Sequence, residues 1–264
     1  RNPRKIDMIL MAGPCVLESE DVVFETCKFL VDNIQGRGYD FYFKSSYDKA
    51  NRSSVDSFRG PGIENGVRFF KELKDRFGVK IVTDIHQPHE AKIVAPVVDM
   101  LQIPAFLCRQ TDMLRAAAET GLTVNVKKGQ FMAPWDMRNV VDKLKFYGAK
   151  DIILTERGAS FGYNNLVVDF RSFKIMRELG GKVVFDATHS VQLPGGSGSC
   201  SSGQREFVPY LTRAAAAYGV DGFFMEVHPE PEKALCDGPN MIDFEMMNKI
   251  LNNIDKIRGL NWEL

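Results

Sequence analysis

The sequence has no excess of either charge, because 34 Lys and Arg residues balance 34 Asp and Glu residues among its 264 residues. A balanced chain has no global field to hold nucleic acid or an anionic membrane, so any anion site must be local. It also has no apolar run near the roughly 18 residues of a membrane span. Its first residues, RNPRKIDMIL, lack a long apolar signal core. We therefore expect a cytoplasmic protein that binds neither nucleic acid nor membrane.

Cysteine is sparse, with five residues scattered along the chain and no CxxC pair. An odd number without short spacings argues against a disulfide framework and fits a reducing compartment. A glycine-rich GxGxxG turn is also missing after the first apolar run, which disfavours a dinucleotide-binding sheet.

Short apolar runs alternate with amphipathic segments of helical period along the whole chain. Such alternation predicts parallel strands joined by right-handed crossovers. About eight units in a chain of this length predict one (β/α)8 TIM barrel domain, α/β in class, over residues 1–264. A doubly wound open sheet is the alternative. The predicted strands centre near Ile9, Tyr42, Ile81, Leu101, Val124, Ile153, Val184 and Phe223.

The longer helices have recognisable ends. Ser19 is a plausible N-cap of the first helix and Gly36 its stop, while Gly78 ends the second and Asp243 precedes the last. Shorter helices are predicted at 88–95, 112–120, 170–179 and 206–218.

Most of the predicted strands end in polar or charged side chains, and in a barrel these ends open onto one face. The segment KSSYDKANRSS, residues 44–54, places cations among small hydroxyls directly after the second strand. Guanidinium and ammonium groups of this kind suit phosphate. Several cations on one face of a neutral protein predict a small ligand with more than one anionic group. They are Lys44, Lys49, Arg52, Lys127, Lys128 and Arg157.

Four possible metal ligands also follow strands. Cys15 comes after the first strand, His189 after the seventh, and Glu226 and Asp237 after the eighth. In a closed barrel the first strand pairs with the eighth, so nitrogen, oxygen and sulfur donors could meet around a divalent ion. A core thiol and a hydrogen-bonded histidine are the alternative.

Three further features lie on the same predicted face. The low-complexity stretch LPGGSGSCSSGQ follows the seventh strand and predicts a mobile loop at 191–205, with an idle loop as the alternative. Arg109 follows the fourth strand and could serve this site, a neighbouring subunit's site or a surface salt bridge. His86 and His228 follow strands without an evident partner in the sequence.

Motifs spread over almost the whole chain resemble those of the 3-deoxy-D-manno-octulosonate 8-phosphate synthases. The resemblance implies a tetrameric barrel that condenses phosphoenolpyruvate with arabinose 5-phosphate and water, giving the octulosonate phosphate and inorganic phosphate for lipopolysaccharide synthesis. The motifs are AGPCVLES, FKSSYDKANRSS, VTDIH, QIPAFLCRQTD, VNVKKGQF, TERGASFGYNNLVVD, DATHSVQLPGG and EVHPEP.

The resemblance also implies roles for individual residues. Asp84 would lie near the sugar hydroxyls, and Arg109 would reach the sugar phosphate of an adjacent subunit. Phosphoenolpyruvate would be held by Lys44, Ser46, Gln102, Ala105 (through its backbone), Lys127 and Arg157. Arabinose 5-phosphate would be held by Lys49, Asn51, Arg52 and Ser53. The expected catalytic residues are Lys44, Asp84, Lys127, His189 and Asp237.

The family has a metal-dependent branch with cysteine in its AGPC motif and a metal-independent branch with asparagine there. Cys15 therefore implies a divalent metal (Zn, Fe, Mn or Co), with His189, Glu226 and Asp237 as the other ligands. The tetrad CDGP at 236–239 resembles the metal-independent branch instead. Two other functions stay open: the related heptulosonate synthase, which uses erythrose 4-phosphate and typically carries a KPRTS-like run, and a non-catalytic sugar-phosphate-binding barrel.

Overall fold

The protein is built around one parallel sheet that closes into a barrel. A computed structural model describes residues 8–52, 54–195 and 202–260. Within these ranges, eight parallel strands form a closed barrel in which β1 pairs with both β2 and β8. The predicted (β/α)8 barrel is therefore confirmed, and the open sheet is excluded. The barrel strands are β1 (Met8–Gly13), β2 (Tyr39–Lys44), β3 (Lys80–Asp84), β4 (Met100–Ile103), β5 (Thr123–Lys127), β6 (Ile152–Glu156), β7 (Lys182–Asp186) and β8 (Gly222–Glu226).

A helix follows every strand, as the alternation in the sequence predicts. Two further pairs of short antiparallel strands lie in the loops: Ala159–Ser160 with Leu166–Val167, and Gln192–Leu193 with Ser202–Gly203. The α-helices in the described ranges are α1 (Glu20–Ile34), α2 (Ile63–Phe77), α3 (Glu90–Val94), α4 (Thr111–Ala118), α5 (Met137–Phe146), α6 (Arg171–Arg177), α7 (Val208–Tyr218) and α8 (Phe244–Arg258).

The caps act as the sequence predicts. The Ser19 hydroxyl accepts a hydrogen bond from the Val22 amide at 3.3 Å, and the Asp243 carboxylate accepts one from the Met246 amide at 2.7 Å. Each satisfies an amide that the first turn leaves without an intrahelical partner. Gly78 ends α2 with φ of 63°, a left-handed conformation that glycine adopts without cost.

Alternation along the strands separates two layers of core. In β1, Ile9 and Met11 point into the barrel, whereas Leu10 and Ala12 pack against the helices. Side chains that lie two residues beyond an inward apolar residue point inward as well. That parity directs polar strand ends into the barrel mouth. The inward apolar layer comprises Ile9, Met11, Tyr42, Val82, Met100, Ile153, Val184 and Phe224.

The loop predicted at 191–205 lies partly outside the described residues. Its two stems form the short antiparallel pair Gln192–Leu193 with Ser202–Gly203. Its mobility remains a prediction. No helix within the described ranges is long and apolar enough to cross a membrane.

Phe173 offers a test of the packing between the helices and the barrel. It is fully buried in α6, and its ring lies 5.8 Å from that of Phe185 and 5.3 Å from that of Tyr218. We expect Phe173→Ala to lower the free energy of unfolding by about 3–5 kcal/mol, measured by urea denaturation. Phe146→Ala, at a position that is 83% exposed, is the control and should change it by less than about 0.5 kcal/mol. Equal losses in both variants would contradict the packing described here.

Candidate active site

A cavity of about 440 Å³ lies at the carboxyl ends of the barrel strands, where the inward polar side chains collect. Five of the predicted cations line it, together with Asp84, Gln102, Ala105, His189, Glu226 and Asp237. The structure therefore brings these strand ends together in one cavity, and the roles of the residues remain predictions. The lining cations are Lys44, Lys49, Arg52, Lys127 and Arg157.

Lys44 and Asp84 form a buried ion pair in this cavity. The Lys44 ammonium donates to Asp84 Oδ1 at 3.0 Å and to the Ser46 hydroxyl at 3.0 Å, and Ser46 donates to the same carboxylate oxygen at 2.5 Å. Burial alone would raise the pKa of Asp84, but the Lys44 charge and the hydrogen bond from His86 hold it well below its usual range. The carboxylate therefore stays charged and fixes the direction of the lysine.

Two histidines that the sequence left without partners are both paired. His86 Nε2 lies 3.0 Å from Asp84 Oδ2, and the His86 amide donates to Glu90 at 2.7 Å. Burial would lower the pKa of His86, but the two carboxylates raise it. His228 Nε2 lies 2.5 Å from Glu18 Oε1, in a buried contact between the loops that follow β8 and β1. Glu18 is 210 positions from His228, so periodicity gave no signal for that pair, whereas Asp84 is only two positions from His86.

Lys127 pairs with Asp186, a residue that the predicted site did not include. The Lys127 ammonium donates to Asp186 Oδ2 at 2.6 Å, and Asp186 Oδ1 accepts the His189 amide at 2.9 Å. Burial would raise the pKa of Asp186, but His189 and Lys127 hold it far below its usual range. Burial lowers the pKa of Lys127, and nearby Arg157 adds to that shift. Asp186 follows the inward Val184 by two residues, so strand parity could have found it.

Arg157 and Gln102 occupy the same cavity through separate hydrogen-bond networks. Arg157 Nη2 donates to the Gln192 carboxamide at 2.7 Å, while its buried Nε has no hydrogen-bond partner among the described residues. Gln102 Oε1 accepts from Asn125 at 3.1 Å, and Thr155 donates to that asparagine at 2.7 Å. The unpaired guanidinium nitrogen is available to an anionic ligand.

The predicted sugar-phosphate residues divide into three groups. Lys49, Asn51 and Arg52 line the cavity. Ser53 lies outside the described residues. Arg109 is exposed, and it is not among the described residues that line the cavity. A role for Arg109 in a neighbouring subunit therefore remains a prediction.

Lys128 does not join the anion site, so that part of the sequence interpretation is wrong. Its buried ammonium lies 3.4 Å from Glu156 Oε1 and contacts the carbonyl oxygens of Gly129 and Met132 at 3.4 and 3.3 Å. Successive strand residues face opposite sides, so Lys127 and Lys128 cannot both enter the barrel mouth.

The four predicted metal ligands lie in two overlapping sets that share Asp237. One set comprises His189, Glu226 and Asp237 and the other Cys15, Cys236 and Asp237, with donor atoms in each set within 4.8 Å of one another. Glu226 Oε2 is buried, lies 3.6 Å from His189 Nε2 and has no hydrogen-bond partner among the described residues. An orphaned carboxylate oxygen beside nitrogen and sulfur donors fits a borderline divalent cation. Cys236 was not among the predicted ligands.

The fold and the site together define a (β/α)8 barrel with a cation-lined cavity at the carboxyl ends of its strands, which also contains a cluster of metal-type donors. The chain belongs to the DAHP synthetase I family, which it matches over residues 4–259.

Its relatives share most of its length. It is 56% identical over 251 residues to a protein of Desulfatibacillum aliphaticivorans named 2-dehydro-3-deoxyphosphooctonate aldolase. This match covers 95% of this chain and 92% of the relative. Proteins with the same name from Geobacter sp. strain M21 and a Synechococcus species are both 58% identical, over 253 and 251 residues. These matches cover 96% and 95% of this chain and 93% and 88% of the respective relatives.

The Lys44 and Asp84 pair yields a prediction about pH. Asp84→Asn leaves a buried ammonium without its counter-charge, which we expect to lower the free energy of unfolding near pH 7 by about 3–5 kcal/mol. The folded-state pKa of Asp84 lies below its unfolded value of about 3.9, so its stabilisation is present above that value and is lost as pH falls. The measurement is urea denaturation of both proteins from about pH 7 down to about pH 3.

The difference between wild type and Asp84→Asn should therefore shrink in acid. Asp112→Asn, at an exposed position of α4, is the control and should follow wild type throughout. A difference that persists undiminished at about pH 3 would contradict the assignment of the charge to Asp84.

Proposed function

We propose that this chain is an enzyme that condenses phosphoenolpyruvate with D-arabinose 5-phosphate and water. The products are 3-deoxy-D-manno-octulosonate 8-phosphate and inorganic phosphate, and the setting is cytoplasmic lipopolysaccharide biosynthesis. The names of the relatives support this function, since 2-dehydro-3-deoxyphosphooctonate is the same sugar acid phosphate. The observation that carries the proposal is the gathering of five cations in one buried cavity.

The cavity offers cationic side chains to each anionic group of the two substrates. Two phosphates and one carboxylate carry about four to five negative charges near neutral pH. Lys44, Lys127 and Arg157 would hold phosphoenolpyruvate together with Ser46, Gln102 and the backbone at Ala105. The pentose phosphate would be held by Lys49, Asn51, Arg52 and Ser53, with Asp84 near its hydroxyls and Arg109 reaching the sugar phosphate of an adjacent subunit.

The reaction forms a bond between carbon 3 of the enol and the aldehyde carbon, while water adds at carbon 2. Phosphate then leaves by cleavage of its bond to carbon 2. Holding both substrates side by side replaces an improbable encounter and can contribute about 7–11 kcal/mol when alignment is ideal. The lowered pKa of Lys127 makes its ammonium a better proton donor to the departing phosphate.

The donor cluster supports a bound divalent cation as part of the proposed site. Cys15, His189, Glu226 and Asp237 would hold it. This mixture of sulfur, nitrogen and oxygen suits Zn, Fe or Co, whereas Mn, which the sequence also leaves open, prefers oxygen ligands. When bound, such a cation would orient and polarise the aldehyde. Asp186 keeps His189 in place through the His189 amide, whether or not the cation is present.

We also propose a homotetramer. Large aromatic side chains are exposed on the loops that follow β4, β5 and β6, at the same end of the barrel as Arg109. Phe106, Phe131 and Phe161 are 56%, 58% and 71% exposed. Exposed apolar surface of this kind marks an interaction face, and a second copy would bring Arg109 of one subunit towards the cavity of another.

A two-substrate assay separates the proposed reaction from its rivals. We expect phosphate release from phosphoenolpyruvate with arabinose 5-phosphate and none with erythrose 4-phosphate. Turnover with erythrose 4-phosphate would instead favour the heptulosonate synthase. Calorimetric binding of phosphoenolpyruvate without phosphate release with either sugar would favour a non-catalytic barrel. The run KANRSS at 49–54 in place of KPRTS supports the pentose phosphate.

Chelation tests the metal and the role of the CDGP tetrad. We expect chelation to lower turnover, because it removes the cation that positions the aldehyde, and to leave a residual rate supported by the loop after β8. Cys15→Asn should retain activity without added metal, as measured by phosphate release before and after chelation. Cys27→Ala, in the buried face of α1, should behave as wild type. Complete inactivity of Cys15→Asn in every metal condition would contradict a role for the loop.

A further inference from the structure

A second thiol lies beside Cys15 in the donor cluster. Cys236 Sγ is 3.1 Å from Cys15 Sγ, and Cys15 Sγ is 3.4 Å from Asp237 Oδ2. Both cysteines are buried, with 1% and 2% of their surface exposed. Two thiols and a carboxylate at this separation can act on one cation with only small movements, because zinc–sulfur bonds are about 2.3 Å long.

The backbone explains why two adjacent residues reach the same point. Asp237 has φ of 51°, in the left-handed region that aspartate tolerates better than most residues. This turn brings the side chains of Cys236 and Asp237 close to Cys15, which lies two residues after the end of β1. Gly13, at the end of that strand, pairs with Glu226 of β8.

Cys236 lies in one buried cluster with Cys15, Val16 and Met241, and its thiol also contacts a charged group. Arg52 Nη1 donates to Cys236 Sγ at 2.7 Å. Hydrogen bonds from outer partners orient ligands and tune their donor strength. Glu226 Oε2 gives independent support for a cation at this cluster. The atom is buried in the set that shares Asp237, and it has no hydrogen-bond partner among the described residues.

We propose that Cys236 is a metal ligand together with Cys15 and Asp237, and that its sulfur makes the site selective for thiophilic divalent cations such as Zn²⁺ and Cd²⁺. This inference rests on the proposed metal site and adds a ligand to it. Sulfur ligands favour these ions, whereas Mn²⁺ prefers oxygen ligands.

The charge around such a site balances. Two thiolates and the carboxylates of Glu226 and Asp237 would carry four negative charges, of which a divalent cation neutralises two. Lys49 Nζ lies 3.8 Å from Glu226 Oε1 and Arg52 Nη1 lies 3.7 Å from Asp237 Oδ1. Before the substrates bind, these two cations supply the remainder, so a second thiolate adds no uncompensated buried charge.

Counting sulfur atoms around the bound metal tests the inference without reference to activity. The purified protein, kept reduced and loaded with Zn²⁺, is measured by X-ray absorption at the zinc edge. We expect two sulfur neighbours at about 2.3 Å in wild type and one in Cys236→Ser and in Cys15→Ser. Cys108→Ala, a buried free cysteine outside the cluster, is the control and should keep two.

One sulfur in both wild type and Cys236→Ser would overturn the inference while leaving the proposed metal site intact. Failure of wild type to bind zinc at all would overturn both, and phosphate release with the two substrates would still judge the proposed reaction separately. Should Cys236→Ser fail to fold, the sulfur count in wild type decides alone.

Selectivity supplies a second readout. Titration of the metal-free protein should show that Cys236→Ser loses more than about tenfold in affinity for Cd²⁺, a loss that even an outer partner of a ligand can cause. Its affinity for Mn²⁺ should stay that of wild type. Equal losses for both ions would contradict selectivity through sulfur and point to a general distortion of the site.

Discussion

Buried charges that neutralise one another in pairs hold the active face of this barrel together. A single charge moved from water into a protein interior costs several kcal/mol, so Lys44 and Lys127 can be buried because Asp84 and Asp186 lie within 3.0 and 2.6 Å. Each carboxylate also receives a histidine contact. The carboxylates thereby fix the direction of both lysines before any ligand arrives. An anion that binds there meets lysines that are already oriented, so binding requires little rearrangement of the site.

Much of this arrangement follows from sequence because strand parity is local. Polar residues two positions beyond Tyr42, Val82, Met100 and Phe224 had to point into the mouth of the barrel, and they do. The same rule, applied strictly, would have included Asp186 and removed Lys128. The class of fold was equally predictable, since alternation of strand and helix leaves few topologies for eight parallel units.

Contacts set by loop conformation were not predictable in the same way. Cys15 and Cys236 are separated by 221 positions, and their approach depends on barrel closure and on a left-handed residue at Asp237. The pairing of His228 with Glu18 depends on the same two loops. Resemblance to the family identified Cys15, Glu226 and Asp237 as expected metal ligands. It identified Cys236 only as the first residue of the CDGP motif. The proposed role of Arg109 involves a second copy of the chain, whose position the sequence of one chain does not specify.

The loop after β8 bears on how strongly the site depends on a metal. Protein contacts hold Asp237 in place: its carbonyl accepts the Asn240 amide at 2.9 Å, and its carboxylate faces Arg52 and Cys15. Gly238 lies so close to the Pro231 carbonyl oxygen that a side chain there would collide at 2.5 Å. In the proposed metal site, Asp237 would therefore not need the cation to hold its position, and the cation would act mainly on the substrate. Metal-dependent and metal-independent sequence features could then coexist in one chain.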